Sequence, residues 1–271
     1  MELPAYVTFE RPRESFEAPG LSVVIPAYNE ARRIGPHLDK IQAYFAAHPE
    51  PYELLVSSDG STDGTAELIR ERMQSFPRLG LVSYAKNRGK GHAVRMGMRA
   101  ARGAQRLFAD ADGSTPIEEI ERLRAGLAQS GAQIAVGSRA LPAPGIERQI
   151  KPHRYVIGQV FRMLRSALMD VHVVDSQCGF KLFGARAADL IFPAAQVDGF
   201  AFDVELLFLA ARWDLAVTEV AVNWHDDQAS RVNLLTDPFK MLRDMWRVRR
   251  MHRDTPRPAP ARDPLPQTTE R

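Results

Sequence analysis

Apolar and polar positions follow two different periods along the first half of the chain. The run from Leu21 to Pro26 is apolar except for one serine, is β-branched at its centre and ends on proline, which is typical of a buried strand. Residues 30–47 then carry apolar side chains three or four positions apart, the spacing of one helical face. The same alternation predicts strands at 21–26, 52–56, 81–84, 106–109 and 134–136, and helices at 30–47, 65–76, 91–102 and 116–129. It indicates right-handed βαβ crossovers and an α/β fold with a mostly parallel sheet.

After about residue 140 the alternation becomes irregular. Residues 155–170 form an amphipathic helical pattern, residues 200–211 indicate a largely buried helix, and 216–222 a late strand. Asp237 and Pro238 suit an N-cap and first turn, and they begin a helix rich in arginine. The predicted organisation is an irregular lead-in at 1–19, a single domain at 20–236, a basic amphipathic helix at 237–253 and a disordered tail at 254–271.

Composition excludes several classes of protein. Hydrophobic residues make up 45% of the 271 residues, and the single cysteine, Cys178, excludes an internal disulfide and a cysteine-based zinc site. Lys and Arg number 36 against 33 Asp and Glu, and a formal net charge of +3 does not indicate a nucleic-acid partner. No run approaches about 18 apolar residues, and the N-terminus lacks the apolar core of a signal peptide. We therefore expect a soluble, cytoplasmic protein without a membrane span.

Loops rich in glycine, aspartate and lysine follow the first four strands. They lie at 26–30, 58–65, 86–91 and 110–113. In an open α/β sheet, ligands bind at the carboxyl ends of the strands, where such loops are neighbours. The loops therefore predict a polar ligand of phosphate size at this edge of the sheet, and with it an enzyme.

The pair Asp110 and Asp112 has a definite chemical use. Two carboxylates on an extended turn can direct oxygens to one hard cation, and Mg²⁺ or Mn²⁺ takes one or two carboxylates and completes its shell with water and substrate phosphate. The alternative is a turn or helix cap, which uses the same residues. The position after an apolar strand, beside three similar loops, favours the metal site.

The loop Gly89-Lys90-Gly91 opens a predicted helix. Its backbone N–H groups and its lysine suit an anion, while the alternative is an ordinary connection with a solvated lysine. A Walker A loop is absent, and no Gly-x-Gly-x-x-Gly follows the first strand. A dinucleotide cofactor is therefore disfavoured.

Six segments form an ordered set: SVVIPAYNE, VSSDGSTDGT, KNRGKGHAVRMGM, DADGS, VGSRA and DSQCGFKLF. This series resembles the inverting family 2 glycosyltransferases, which have a Rossmann-like GT-A fold. The segments DSQCGFKLF, GFAFDVELLFLA and VAVNWHDDQASRVN are similar to dolichyl-phosphate β-glucosyltransferases, and somewhat less so to dolichol-phosphate mannose synthases. The resemblance covers roughly residues 20–250.

The resemblance implies a role for each matching position. The positions implied to bind the nucleotide-sugar donor are Pro26, Tyr28, Glu30, Asp59, Lys86, Lys90, Asp110, Ala111 and Asp112. Among them, Asp110 and Asp112 would hold the Mg²⁺ or Mn²⁺ ion on the diphosphate. The positions implied to act in catalysis or on the acceptor phosphate are Arg139, Lys181, Arg231, Asp203 and Glu205. For the basic residues the alternative is a solvated charge, and for Asp203 and Glu205 a pair that makes structural hydrogen bonds.

The implied reaction is metal-dependent transfer of a hexose, glucose from UDP-glucose, with inversion, to a polyprenyl phosphate. The second pKa of a phosphate monoester is near 6, so this acceptor is already dianionic at neutral pH and needs cations more than a base. A soluble hydroxyl acceptor would instead require Asp203 as a base. The residues are also compatible with a GDP-mannose-dependent mannosyltransferase and with a nucleotide-sugar-binding membrane scaffold that has no activity.

A polyprenyl acceptor requires contact with a membrane. The amphipathic stretches at 155–170 and 238–252, both with arginines, suit the interface of an anionic bilayer. The alternative is that their apolar faces pack on the core or on a second subunit of an oligomer. We therefore predict peripheral attachment at the inner, cytoplasmic face of the membrane.

Overall fold

The computed structural model describes residues 2–146, 169, 171–225 and 237–256, and the side chains of 237–242 are not among its described features. Three predictions fall on other residues. The predicted helix at 155–170 lies outside the described residues except for Met169, the predicted tail lies outside them from residue 257 onward, and Arg231 lies outside them as well.

The described part of the chain contains one sheet of eight strands in the order β1-β4-β3-β2-β5-β7-β6-β8. The strands are β1 Thr8–Glu10, β2 Leu21–Ala27, β3 Tyr52–Asp59, β4 Leu79–Tyr84, β5 Gln105–Ala109, β6 Ile134–Ser138, β7 Phe180–Gly184 and β8 Val217–Ala221. All pairings are parallel except those of β1 with β4 and of β7 with its neighbours β5 and β6. The prediction of a mostly parallel sheet is confirmed.

Helices cover both faces of this sheet. They are α1 Ile34–Ala47, α2 Thr65–Arg72, α3 Lys90–Ala100, α4 Ile120–Ser130, α5 Ala185–Ala194, α6 Phe202–Arg212 and α7 Asp237–Met251. Consecutive strand residues point to opposite faces, so Val23 packs in one apolar cluster with α1, α2 and α4, while Val24 packs in another with α3, α5, α6 and α7. Every residue of β2 and β3 is buried, as expected for central strands covered on both sides.

The lead-in differs from the sequence prediction. Thr8–Glu10 is not irregular but pairs with β4 as an antiparallel edge strand. A three-residue strand is stabilised by its tertiary partner, and such pairing leaves no periodic signal in so short a segment. The polar composition of residues 1–19 therefore gave no indication of strand β1.

The helix α7 has one buried and one exposed side. Met245 and Val248 are fully buried in the core, whereas the Trp246 side chain is 61% exposed beside exposed arginines. No helix in the described ranges is long and apolar enough to cross a bilayer. The alternative of packing on the core thus holds for Met245 and Val248.

Candidate active site

The first two polar loops are joined by hydrogen bonds of their own side chains. Asn29, which has a positive φ of 55°, accepts the Thr62 N–H with its side-chain oxygen at 2.9 Å, and its own backbone N–H donates to the Ser61 hydroxyl at 3.1 Å. The Glu30 N–H donates to the Thr65 hydroxyl at 2.9 Å. Together these bonds fix the loop after β2 against the loop after β3.

The predicted donor-binding residues of the first loop differ in exposure. Pro26 is buried at the end of β2, while Tyr28 is 39% exposed at the sheet edge. The Glu30 carboxylate forms a two-pronged ion pair with Arg33, at 2.7 and 2.9 Å. Tyr28 is therefore the side chain of this loop that faces solvent, where a ligand would arrive.

Asp59 holds the loop at residues 86–91 in place through hydrogen bonds. Its carboxylate is buried and accepts the backbone N–H groups of Arg88 and Gly89, both at 2.8 Å, and the side-chain amide of Asn87 at 3.0 Å. Lys86, in the same loop, is exposed. The structure thus places Asp59 beneath the loop, with Lys86 on its outer surface.

The lead-in covers this loop through Tyr6, a contact that the sequence did not predict. The guanidinium of Arg88 lies 4.3 Å from the centre of the Tyr6 ring, in cation–π geometry. The Tyr6 hydroxyl also lies 3.2 Å from Nε2 of His92, on α3. Because residues 1–19 have no hydrophobic period, nothing in the sequence marked Tyr6 as part of the site.

The start of α3 is not open to an anion in the way that the sequence suggested. The N–H groups of Gly91 and His92 donate to the carbonyl of Asp198, at 2.8 and 3.3 Å. A Cβ at Gly89 or Gly91 would collide with the backbone of residues 197–199. The two glycines therefore permit close packing of this segment, and at the start of α3 itself the positive charge comes from the side chain of Lys90.

Lys90 contacts the predicted metal site directly. Its Nζ lies 2.6 Å from Oδ1 of Asp110, and the side chains are 25% and 32% exposed. Burial opposes the charged form of Lys90, but the carboxylates of Asp110 and Asp203 outweigh it and raise the pKa of the ammonium. Lys90 is thus a cation at neutral pH, paired with Asp110.

The turn after β5 presents Asp110 and Asp112. The Asp110 N–H donates to the carbonyl of Gly179 at 3.0 Å, and Oδ1 of the exposed Asp112 accepts the Ser114 N–H at 2.9 Å. Ala111 between them is buried. A Cβ at Gly179 would overlap the Asp110 carboxylate, so glycine is required there for this placement.

This donor set fits a hard divalent cation. It consists of carboxylate oxygens, which Mg²⁺ and Mn²⁺ prefer, and it leaves coordination positions for substrate phosphate and water. Over the described ranges, no cluster of three or more His, Cys, Asp or Glu side chains could hold a metal ion by itself. Asp110 and Asp112 would therefore leave positions on such an ion for donor phosphate and water.

His37 of α1 supports the turn from behind. Gly113 has a positive φ of 65°, and a Cβ at this position would come within 2.7 Å of Nδ1 of His37. Burial lowers the pKa of His37 despite the nearby carboxylate of Asp112, which favours the neutral imidazole. Both strain and space thus require glycine at position 113.

Lys181 and Asp203 form a buried ion pair below the turn. The Lys181 ammonium is fully buried and donates to Oδ1 of Asp203 at 2.5 Å and to the carbonyl of Cys178 at 2.6 Å. Burial raises the pKa of Asp203, although Lys181 and Lys90 oppose this shift. The structure thus gives Lys181 two protein partners, and its contact with an acceptor phosphate stays a prediction.

Glu205 has structural partners on both carboxylate oxygens. They accept the N–H groups of Gln196 and Val197 at 2.8 and 2.9 Å, and Nε2 of the fully buried His252 donates to Oε1 at 2.7 Å. Glu205 thereby fixes the segment before Asp198 and the end of α7. These contacts correspond to the structural alternative, and they do not support a catalytic role for Glu205.

Arg139 is held in a defined orientation by Asp175. Its Nε and Nη2 donate to the two carboxylate oxygens at 2.7 and 2.9 Å, and its guanidinium lies 5.6 Å from the Trp224 ring centre. Burial disfavours the charged forms, but Arg139 lowers the pKa of Asp175 to about 2. The Asp175 N–H donates to Glu219 of β8, which anchors the pair to the sheet.

The structure therefore brings most of the predicted residues to the carboxyl edge of the sheet. Lys90 forms an ion pair with Asp110 and is also attracted by the nearby carboxylate of Asp203. Asp203 in turn forms an ion pair with Lys181. Sequence reasoning missed Gly179 and Asp175, although both lie inside the segment DSQCGFKLF that carried the resemblance. The cluster combines alternating positive and negative groups, and such a site can bind a charged diphosphate and a second phosphate together.

Comparison with known proteins identifies the family to which this chain is similar. Residues 22–192 match the profile of Glycosyl transferase family 2. A dolichyl-phosphate beta-glucosyltransferase of Drosophila melanogaster is 36% identical over 240 residues, covering 84% of this chain and 74% of that protein. The proteins of that name from Homo sapiens and Saccharomyces cerevisiae are 34% identical over 241 and 247 residues, with the same coverage.

Solved structures confirm the GT-A architecture. Glucosyl-3-phosphoglycerate synthase of Mycobacterium tuberculosis with UDP superimposes with a TM-score of 0.60 at 21% identity, covering 87% of this chain and 79% of that one. Mannosyl-3-phosphoglycerate synthase of Rubrobacter xylanophilus gives 0.60 at 18% identity, with 90% and 78% coverage. At these identities the likeness concerns the fold alone.

Proposed function

The chain belongs to glycosyl transferase family 2 and is a glycosyltransferase, and we propose that it transfers glucose from UDP-glucose, with inversion, to a polyprenyl phosphate. One observation carries the proposal: a mixed-charge cluster around Asp110 and Asp203 lies at the carboxyl edge of the sheet. Support for the acceptor comes from relatives called dolichyl-phosphate beta-glucosyltransferases, which match 84% of this chain.

On the donor side, the proposal uses the loops after β2, β4 and β5. Tyr28 and Lys86, which are both exposed, are proposed to contact the nucleoside. Asp110 and Asp112 would hold Mg²⁺ or Mn²⁺ beside the diphosphate. When bound, such a cation supplies Lewis-acid stabilisation of the charge on the leaving group.

On the acceptor side, cations matter more than a base. The nucleophile is an oxygen of a phosphate that is already dianionic at neutral pH, so no proton has to be removed. Arg139, fixed by Asp175, orients this phosphate against repulsion from the donor, and Arg231 is proposed to assist it. Lys181 acts through Asp203 as a positioning residue, because its ammonium is buried on that carboxylate.

A second function is favoured by one observation, the raised pKa of Asp203. A carboxylate with an elevated pKa is a better base, and a base is needed if the acceptor is a hydroxyl group. Transfer to a soluble alcohol is therefore the alternative within the same family.

The test is turnover of a donor panel by the purified protein with Mg²⁺ or Mn²⁺. We expect UDP release from UDP-glucose with a short-chain polyprenyl phosphate, and little release with GDP-mannose or with water-soluble alcohols. Asp112→Ala, at an exposed side chain, serves as the active-site variant and should abolish metal-dependent turnover without loss of folding. Turnover of alcohols without lipid phosphate would support the second function, and absence of UDP binding would contradict both.

The membrane surface is part of this proposal. Around Trp246, α7 carries the exposed residues Arg243, Arg247, Arg249 and Arg250. Aromatic and basic side chains together suit the headgroup region of an anionic bilayer. We propose that this face of α7 attaches the enzyme peripherally, on the cytoplasmic side, where a polyprenyl acceptor would be presented.

A further inference from the structure

We propose that Lys90 is an internal counter-ion of Asp110, and that it makes divalent-cation binding depend on the donor diphosphate. Its Nζ lies 2.6 Å from Oδ1 of Asp110, in a carboxylate that would also hold the cation. The inference deepens the proposed function, since it assumes that the donor is a nucleoside diphosphate sugar and that Asp110 is a metal ligand.

The backbone around Lys90 is fixed, so that only its side chain can respond to a ligand. Gly89 and Gly91 on either side pack against the 197–199 segment, and the Gly91 N–H is bonded to the Asp198 carbonyl. The Lys90 and Asp110 side chains retain 25% and 32% exposure. The ammonium can therefore leave Asp110 without any movement of α3.

Lys90 and a divalent cation compete for one carboxylate. The ammonium occupies the position beside Oδ1 of Asp110, and a doubly charged ion bound there would be repelled by it at close range. Before the donor binds, Lys90 thus weakens the affinity of Asp110 and Asp112 for metal.

The donor diphosphate reverses this balance. Its phosphate oxygens offer the ammonium a new anionic partner and provide further ligands for the cation. When Lys90 moves to the diphosphate, the Asp110 carboxylate becomes available to the metal. Metal and donor therefore strengthen each other's binding by the same factor, as linkage requires.

The test compares Mn²⁺ binding, followed by the electron paramagnetic resonance signal of free Mn²⁺, with and without UDP. Without UDP, Lys90→Met should bind Mn²⁺ about tenfold more tightly than wild type, a change within the range usual for coupled sites. UDP should increase the Mn²⁺ affinity of this variant less than it increases that of wild type. Lys90→Arg keeps the charge and should retain coupling. Lys40→Met, an exposed lysine on α1, is the matched control and should behave as wild type.

The outcomes separate this inference from the proposed function. Equal or weaker Mn²⁺ binding by Lys90→Met without UDP would overturn the role of Lys90, even if the enzyme turns over UDP-glucose. Equal Mn²⁺ affinity of wild type with and without UDP would also overturn it. If wild type binds no Mn²⁺ in either condition, the metal assignment of the proposed function fails together with the inference.

Discussion

At the scale of single residues, the position of Asp110 depends on a glycine from a different part of the chain. Gly179 precedes β7, and its lack of a side chain creates the space that the Asp110 carboxylate fills. The same residue accepts the Asp110 N–H with its carbonyl. The segment DSQCGFKLF thus contributes to the metal turn by its backbone, in addition to the side chain of Lys181.

We predict that Gly179→Ala lowers metal-dependent turnover by about a hundredfold, because displacement of a reactive group by about 1 Å has effects of this size. The new Cβ would overlap the Asp110 carboxylate and move it from the turn. The measurement is kcat/KM for UDP-glucose at saturating Mn²⁺, with circular dichroism as a check of folding.

Gly184→Ala is the matched control at the other end of β7. Its nearest neighbour would be the Gln133 carbonyl oxygen at 3.6 Å, an ordinary contact, so turnover should stay near that of wild type. Full activity of Gly179→Ala would show that the position of Asp110 does not matter for the reaction.

At the scale of elements, α7 combines two roles on opposite sides. Met245 and Val248 anchor it to the core, and the Trp246 side carries the exposed arginines. The Arg250 guanidinium lies 5.5 Å from the centre of the Trp246 ring, which keeps the aromatic and basic groups together.

Arg247→Glu should weaken binding to phosphatidylserine-containing vesicles by at least about fivefold, since each basic residue near an anionic surface contributes about 1 kcal/mol. Co-sedimentation with vesicles of defined composition measures this. Arg186→Glu makes the same charge change at an exposed position of α5 and should leave binding unchanged. If the two variants lose binding equally, net charge and not α7 determines attachment.

At the scale of the whole molecule, the ion pair of Arg139 with Asp175 makes the stability of the folded chain depend on pH in the acid range. The pKa of Asp175 is lowered from 3.8 to about 2 in the folded chain. A lowered pKa stabilises the folded state above pH 3.8, and this contribution, about 2 kcal/mol, is lost as the pH falls from 3.8 through 2.

Asp175→Asn should therefore reduce the free energy of unfolding at pH 6, and the deficit should shrink as the pH approaches 2.5. Urea unfolding at the two pH values measures the difference. Asp39→Asn, at an ion pair whose aspartate is 59% exposed, is the control and should have a small effect at pH 6. A deficit that stays constant with pH would show that the ion pair is not its cause.

The central sheet could be predicted from the sequence, because β2 and β3 are buried on both faces and read as apolar runs. Three elements could not. β1 is a short edge strand, and β7 runs antiparallel between β5 and β6, so both depend on distant partners. α5 follows β7 directly and was missed with it.

The sequence predicted which residues belong to the candidate site but not which of them contact one another. The loop after β5 marked Asp110 and Asp112, because acidic residues after a buried strand are visible in the pattern. The ion pair of Lys90 with Asp110, and the backbone partners of Glu205, join residues from distant parts of the sequence. Such pairs are determined by tertiary packing, and the spacing of residues along the sequence does not predict them.

The contact between His252 and Glu205 has a consequence for protein engineering. His252 follows α7 and donates to Glu205, which holds Gln196 and Val197 next to the segment that packs on α3. Removing α7 and His252 would thus expose core side chains and leave the buried Glu205 carboxylate without its histidine partner. A transplant of this domain must therefore carry α7 and His252 with it.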